Sequence, residues 1–159
     1  ARAAGVIRGL EATGRVVAVH LRRGDSAMHR ECASCVAADE PDIHADDRVP
    51  MDTIRERLVL LNQSLTRADG VVIVSDTREA VSVARSIVTA APVAWQGRRG
   101  PALHSTQIAG DLEAASSLMA DFVLMAIADE LIRVGDSSLS GCAESLSGRT
   151  TLSARRSRA

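Results

Sequence analysis

Three runs of β-branched and aliphatic residues, each closed by glycine or by charged residues, punctuate the chain. The first, RVVAVHLR from Arg15 to Arg22, opens after Gly14 and runs into Gly24 and Asp25. GVVIVSD, from Gly70 to Asp76, has the same form, and ELIRVGD, from Glu130 to Asp136, ends in a Gly/Asp/Ser cluster. Runs that are nearly continuous rather than alternating predict strands buried on both faces, as in a parallel sheet covered by helices.

Helical patterns lie between these runs. Pro50 to Ala68 places Ile54, Leu58, Leu61 and Leu65 on one face, with Arg55, Glu56 and Arg67 on the other; proline leads it and Gly70 stops it. Thr77 to Ala91 opens on the capping-type sequence Asp76, Thr77, Arg78, Glu79 and ends before Pro92. Asp111 to Ala128 predicts a third helix with Leu112, Leu118, Phe122, Met125 and Ile127 mostly inward, and Ser138 to Leu146 a fourth. Strands alternating with helices imply βαβ units with right-handed crossovers. The expected fold is α/β: a Rossmann-like parallel sheet with helices on both faces, occupying residues 1–148. The Arg-rich end, 149–159, is expected to be a solvated, disordered tail. Ser26 to Val49 and Gly100 to Gly110 are the long irregular stretches, and the first exceeds the usual loop of a compact domain, a length found where loops are functional or disordered.

Composition narrows the function classes. Apolar residues make up 46% and aromatic residues 1%, so the core is built from Ala, Val, Leu and Ile. A net charge of −1, with one Trp, one Phe and no Tyr, supplies neither the basic field nor the stacking rings of a general nucleic-acid binder. No apolar run reaches the length of a membrane span. All 19 basic residues are Arg, which removes Schiff-base lysines and the P-loop lysine; a GC-rich coding bias accounts for most of that excess. The chain begins at Ala1 without a leader-like segment, so it is expected either to have lost one or to be a fragment.

In a doubly wound sheet, ligands sit outside the carboxyl ends of the strands. The residues there are His20, Arg22, Arg23 and Asp25 after the first run, Ser75 and Asp76 after the second, and Asp136, Ser137, Ser138 and Ser140 after the third. Adjacent guanidinium groups suit a doubly charged oxyanion, and a serine cluster opening a helix adds hydroxyls and amides. Together they suggest a diphosphate held without lysine. The plainer reading is that Arg23 and Asp25 pair across a turn and Ser137 caps a helix. Neither GxGxxG nor GxxxxGK[ST] occurs. His29, Cys32, Cys35 and His44 in the long loop leave zinc, a local disulfide and free thiols all open, and Cys142 reads as a small buried apolar residue.

HLRRGD at the end of the first run resembles the HxRRxD signature of the alpha-1,6-, alpha-1,2- and protein O-fucosyltransferase superfamily. IVSD is similar to its (T/S)D motif, and DFVLMAIADELIRVGDSSLSG resembles its third motif, with Leu139 where a ring is usual. The three stand in order over roughly Val16 to Gly148. The resemblance implies the donor-binding half of a GT-B glycosyltransferase that uses GDP-fucose as donor substrate, inverts the anomeric centre and needs neither metal nor cofactor. By motif position, Arg22 would grip the β-phosphate and Arg23 assist or brace it. His20 and Asp25 would shape the loop, Asp76 and Asp121 would contact ribose or guanine, and Ser137 with Ser138 would form the phosphate turn. Where the alpha-1,6 group carries a catalytic Glu this chain has Arg30, with Glu31 next to it as the candidate base. The implied partners are a nucleotide sugar and a glycan or glycoprotein acceptor, in the ER or Golgi lumen of a eukaryote or the cytoplasm of a bacterium. An acceptor-binding domain would lie outside these 159 residues. The alternative is a noncatalytic nucleotide-binding or interaction module of the same fold.

Overall fold

The computed structural model describes residues 14–24, 49–95, 111–135 and 137–147, the strand residues Leu152–Ser153, and the isolated positions Val6 and Leu10. In chain order the elements are β1 (Arg15–Leu21), α1 (Met51–Ser64), β2 (Asp69–Ser75), α2 (Arg78–Ile87), β3 (Val93–Trp95), α3 (Leu112–Ile127), β4 (Glu130–Val134), α4 (Ser138–Ser147) and β5 (Leu152–Ser153). The strands form one all-parallel sheet in the order β3-β2-β1-β4-β5. This is the Rossmann-like α/β architecture expected from the sequence.

Alternate residues of each strand face opposite layers. Val17, Val19, Leu21, Val71 and Ile73 pack with Ile54, Leu58 and Leu61 of α1 and Ala80, Val83 and Ala84 of α2. Ala18, Val72, Val74 and Leu131 pack with Leu124 and Met125 of α3 and Ala143 of α4. The chain therefore winds outward from β1 to β3 over one face, then returns to place β4 on the other side of β1 with its helices on the second face.

Helix ends differ from the sequence expectation for identifiable reasons. The α1 helix stops at Ser64 because the carboxylate of Asp69 takes the N–H of Thr66 at 2.7 Å and its hydroxyl at 3.1 Å, closing a turn where the pattern ran on to Ala68. The α2 helix stops at Ile87, not Ala91, because Asn62 Oδ1 on α1 accepts the N–H of Thr89 at 2.8 Å and of Ala90 at 2.9 Å. The chain released there forms β3, a strand too short to stand out in the sequence, with Pro92 O accepting the Val71 N–H at 2.9 Å.

Two further expectations are corrected. On α3 the inward residues are Ser117, Ala120, Asp121, Leu124 and Met125, while Leu112 and Ile127 are exposed, so the stripe is rotated from the one the pattern suggested. Cys142 is exposed with a free thiol, since Ser140 and Ala143 take the buried positions of α4. Within the end expected to be a tail, Leu152–Ser153 pairs with Ile132 and Arg133 as the edge strand. No helix among the described residues is long and apolar enough to cross a membrane.

Candidate functional site

The strand order reverses direction between β1 and β4, and the carboxyl ends of these two strands define the crevice where open α/β sheets bind ligands. Their exit loops are drawn together. Arg22 N–H donates to Val134 O at 2.9 Å, and Gly135 follows with φ +94°. A Cβ on Gly135 would stand 2.4 Å from the main-chain oxygen of Arg22, so only glycine permits this approach.

The turn after β1 is held from the neighbouring strand by Asp76. Its Oδ1 accepts the Arg23 N–H at 3.1 Å, and its Oδ2 accepts the N–H groups of Arg23 and Gly24, each at 3.0 Å. Gly24 adopts φ +96°, which turns two successive amides toward one carboxylate. The Arg22 guanidinium joins the group, Nη1 to Asp76 Oδ2 at 3.3 Å. Burial pushes the Asp76 carboxyl above its ordinary pKa, opposed by the Arg22 charge and the main-chain N–H donors. Ser75 steadies the same corner, its hydroxyl donating to Leu21 O at 2.9 Å and accepting from the Thr77 N–H at 3.2 Å.

The two adjacent arginines diverge. Arg22 keeps about a quarter of its side chain accessible, 24%, at the crevice. Arg23 is buried, 4% exposed, with its Nη1 ion-paired to Glu79 on the first turn of α2. Its Nε has no hydrogen-bond partner among the described residues. The N-cap of α2 is Thr77, whose hydroxyl accepts the Ala80 N–H at 3.4 Å, one residue beyond the capping-type pattern. That shift leaves Asp76 for the β1 turn and Glu79 for Arg23.

Opposite, α4 begins at Ser138 next to the Gly135 turn. Ser137 O accepts the Gly141 N–H at 3.0 Å and the Ser140 hydroxyl at 3.1 Å, and Arg133 from β4 reaches both Glu144 (3.0 Å) and Ser137 O (3.5 Å). The helix dipole thus opens at the crevice with Ser138 exposed.

Of the sequence-derived residues, Arg22 directly follows β1, and Ser137 and Ser138 stand at the start of α4 after β4, whereas Arg23 and Asp76 are buried. His20 and Asp121 are interior, 4% and 2% exposed, on the α3/α4 face: His20 lies between Val74 and Arg133 in register, and Asp121 is one turn before Leu124 and Met125. Asp25, Glu31, Asp136, His29, Cys32, Cys35 and His44 lie outside the described residues. Among the described residues no group of three His, Cys, Asp or Glu side chains could hold a metal ion. Gly135 and Glu79 are contributors that sequence reasoning passed over; a glycine directly after a strand was the available signal for the first. No family model matches the sequence, and no curated protein matches it.

Proposed function

We propose that the chain is the donor-binding half of a fucosyltransferase-like GT-B enzyme, taking the diphosphate of GDP-fucose at the β1/β4 crevice. One observation supports this reading: Arg22, the accessible arginine of the HLRRGD motif, directly follows β1 at the switch point of the sheet, where its main chain is hydrogen-bonded to the end of β4 and its guanidinium is paired with Asp76. The ligand rule for α/β sheets, the oxyanion chemistry of the residues and the order of the three motifs lead to the same place.

In the reaction, the bond from fucose C1 to the β-phosphate oxygen breaks while an acceptor hydroxyl of a glycan or protein attacks C1 from the opposite face. Negative charge grows on the departing diphosphate, so a fixed guanidinium there is worth more in the transition state than in the ground state. A base removes the acceptor proton; Glu31 is the sequence candidate. The serine turn and the α4 N-terminus add dipoles of the same sign.

Calorimetry with GDP, UDP and ADP tests the reading. GDP is expected to bind, with or without chelator, and to lose at least about tenfold in affinity in Arg22→Ala, the worth of one charge-assisted contact. A folded sample that gives no GDP binding overturns it. If GDP binds but a longer natural chain carrying this domain transfers no fucose, the noncatalytic module replaces the enzyme.

A further inference from the structure

We propose that Asp76 is a positioning residue that sets the diphosphate affinity of the crevice without touching the ligand, acting through the Arg22 guanidinium. This role rests on the diphosphate reading above for its ligand and on the geometry for its mechanism. By motif position Asp76 would contact the nucleoside. Its oxygens are instead occupied by three N–H contacts at 3.0 to 3.1 Å and by Arg22 Nη1 at 3.3 Å, and the residue is 8% exposed. A nucleoside hydroxyl would have to displace those donors to reach it.

What the carboxylate does control is where Arg22 stands. A free arginine side chain explores many rotamers, and ordering it on binding costs affinity. Pairing with a carboxylate that is itself clamped by two amides fixes the guanidinium at the crevice before a ligand arrives. The Gly24 turn, at φ +96°, depends on the same acceptor.

Asp76 also carries a charge of the ligand's sign, which by itself opposes binding. Across a water-lined crevice at roughly 7 Å that repulsion is worth about threefold in affinity per ligand charge, or about sevenfold for a doubly charged diphosphate. Loss of a charge-assisted contact is worth about tenfold or more. Positioning therefore outweighs repulsion, and the sign of the effect separates the two.

The experiment is a double-mutant cycle read by calorimetry with GDP and, separately, with inorganic pyrophosphate, each carried to millimolar ligand. Folding of every variant is checked by circular dichroism. Asp76→Asn keeps the shape and removes the charge; Asp76→Glu keeps the charge and moves it, and carries the cycle if the first variant does not fold. Each is expected to weaken binding several-fold in the wild-type background, whereas alongside Arg22→Ala neither weakens it and Asp76→Asn tightens it by up to the repulsion removed, since coupled residues are not additive. Unchanged or tighter binding in the single variants overturns the role, and so does a full effect persisting without Arg22, which would mean that Asp76 acts by direct contact or through the Gly24 turn and not through the guanidinium. If pyrophosphate binds and GDP does not, the nucleotide reading falls while the pyrophosphate cycle still decides Asp76. If neither binds the folded wild type, both fall.

Discussion

Gly135 presses against the main chain of Arg22 so closely that a Cβ would lie 2.4 Å from the Arg22 oxygen and 3.1 Å from its Cβ. The contact brings the loops after β1 and β4 together where the sheet reverses its winding. Gly135→Ala combines a backbone clash with a φ of +94° that L residues avoid. It is expected to lower stability by at least about 2 kcal/mol. Gly141, inside α4 with nothing within 4 Å of its would-be Cβ, is the control. Gly141→Ala is expected to raise stability by about 0.5–1 kcal/mol. Urea unfolding of both variants checks the pair; equal effects would show that the loop contact is not what constrains Gly135.

The adjacent arginines are expected to separate by phenotype. Arg23 is buried against Glu79, so Arg23→Ala leaves a void where its side chain packed, with an expected stability loss of about 2–4 kcal/mol. Arg22→Ala is expected to cost about 1–2 kcal/mol, because its side chain is partly accessible and the buried Asp76 carboxylate that it leaves keeps its main-chain donors. Glu79→Gln leaves the buried Arg23 guanidinium without its carboxylate and is expected to cost about 1–3 kcal/mol, the exposure of Glu79 itself moderating the loss. Chemical denaturation of the three variants, beside nucleotide titration, decides whether bracing and ligand contact are divided between the two positions in this way.

Two carboxylates are expected to give stability changes of opposite sign with pH. Arg15 donates to Asp69 at 3.0 Å and, with the Thr66 N–H, holds the Asp69 carboxyl below its ordinary pKa. Its contribution is present above the unfolded-state pKa and disappears as pH falls through the lowered folded value. The Asp76 carboxyl is raised, chiefly by burial. Its contribution is complete below the unfolded-state pKa and declines as pH rises through the raised folded value. Melting curves of wild type, Asp69→Asn and Asp76→Asn from about pH 3 to about pH 8 bracket both windows. The gap to Asp69→Asn should close on acidification, and the gap to Asp76→Asn should narrow as pH rises. Parallel curves would refute both assignments.

What the sequence made legible follows from periodicity. Val17 to Leu21 and Val71 to Val74 are buried on both faces, so their continuous apolar runs mark strands, and Ile54, Leu58, Leu61 and Leu65 are all buried as the spacing of α1 requires. The adjacency of HLRRGD and IVSD at one rim was likewise open to reading, because parallel strands put their carboxyl ends on one side. What was not legible depends on contacts distant in sequence. Asp76 looks like a helix cap or a ligand contact until the β1 turn is folded against it, and Arg23 looks like a second phosphate grip until Glu79 takes its guanidinium. The rotated stripe of α3 has the same origin: its apolar residues surround the helix, and only packing against Ala18, Val72 and Val74 selects the inward face.

Asn62 shows how one distant side chain sets an element boundary, and its removal gives a local readout. Its Oδ1 accepts two successive amides, Thr89 at 2.8 Å and Ala90 at 2.9 Å, where α2 ends and the chain turns into β3. Asn62→Ala is expected to cost about 1–2 kcal/mol, the worth of two hydrogen bonds to partly exposed amides. Asn62→Asp, which keeps the acceptor, should retain most of that stability. Trp95, the only tryptophan of the chain, reports on the same segment: it ends β3 and lies 3.9 Å, ring centroid to guanidinium carbon, from Arg85 of α2. Loosening of the turn should weaken this cation–π contact, worth about 0.5–1 kcal/mol at an exposed site, and shift the tryptophan emission. Faster exchange of the 89 and 90 amides, together with the emission shift in Asn62→Ala and neither change in Asn62→Asp, would confirm that this side chain ends α2. An Asn62→Ala variant with wild-type exchange would show that the turn holds through Pro92 and the β2 pairing alone.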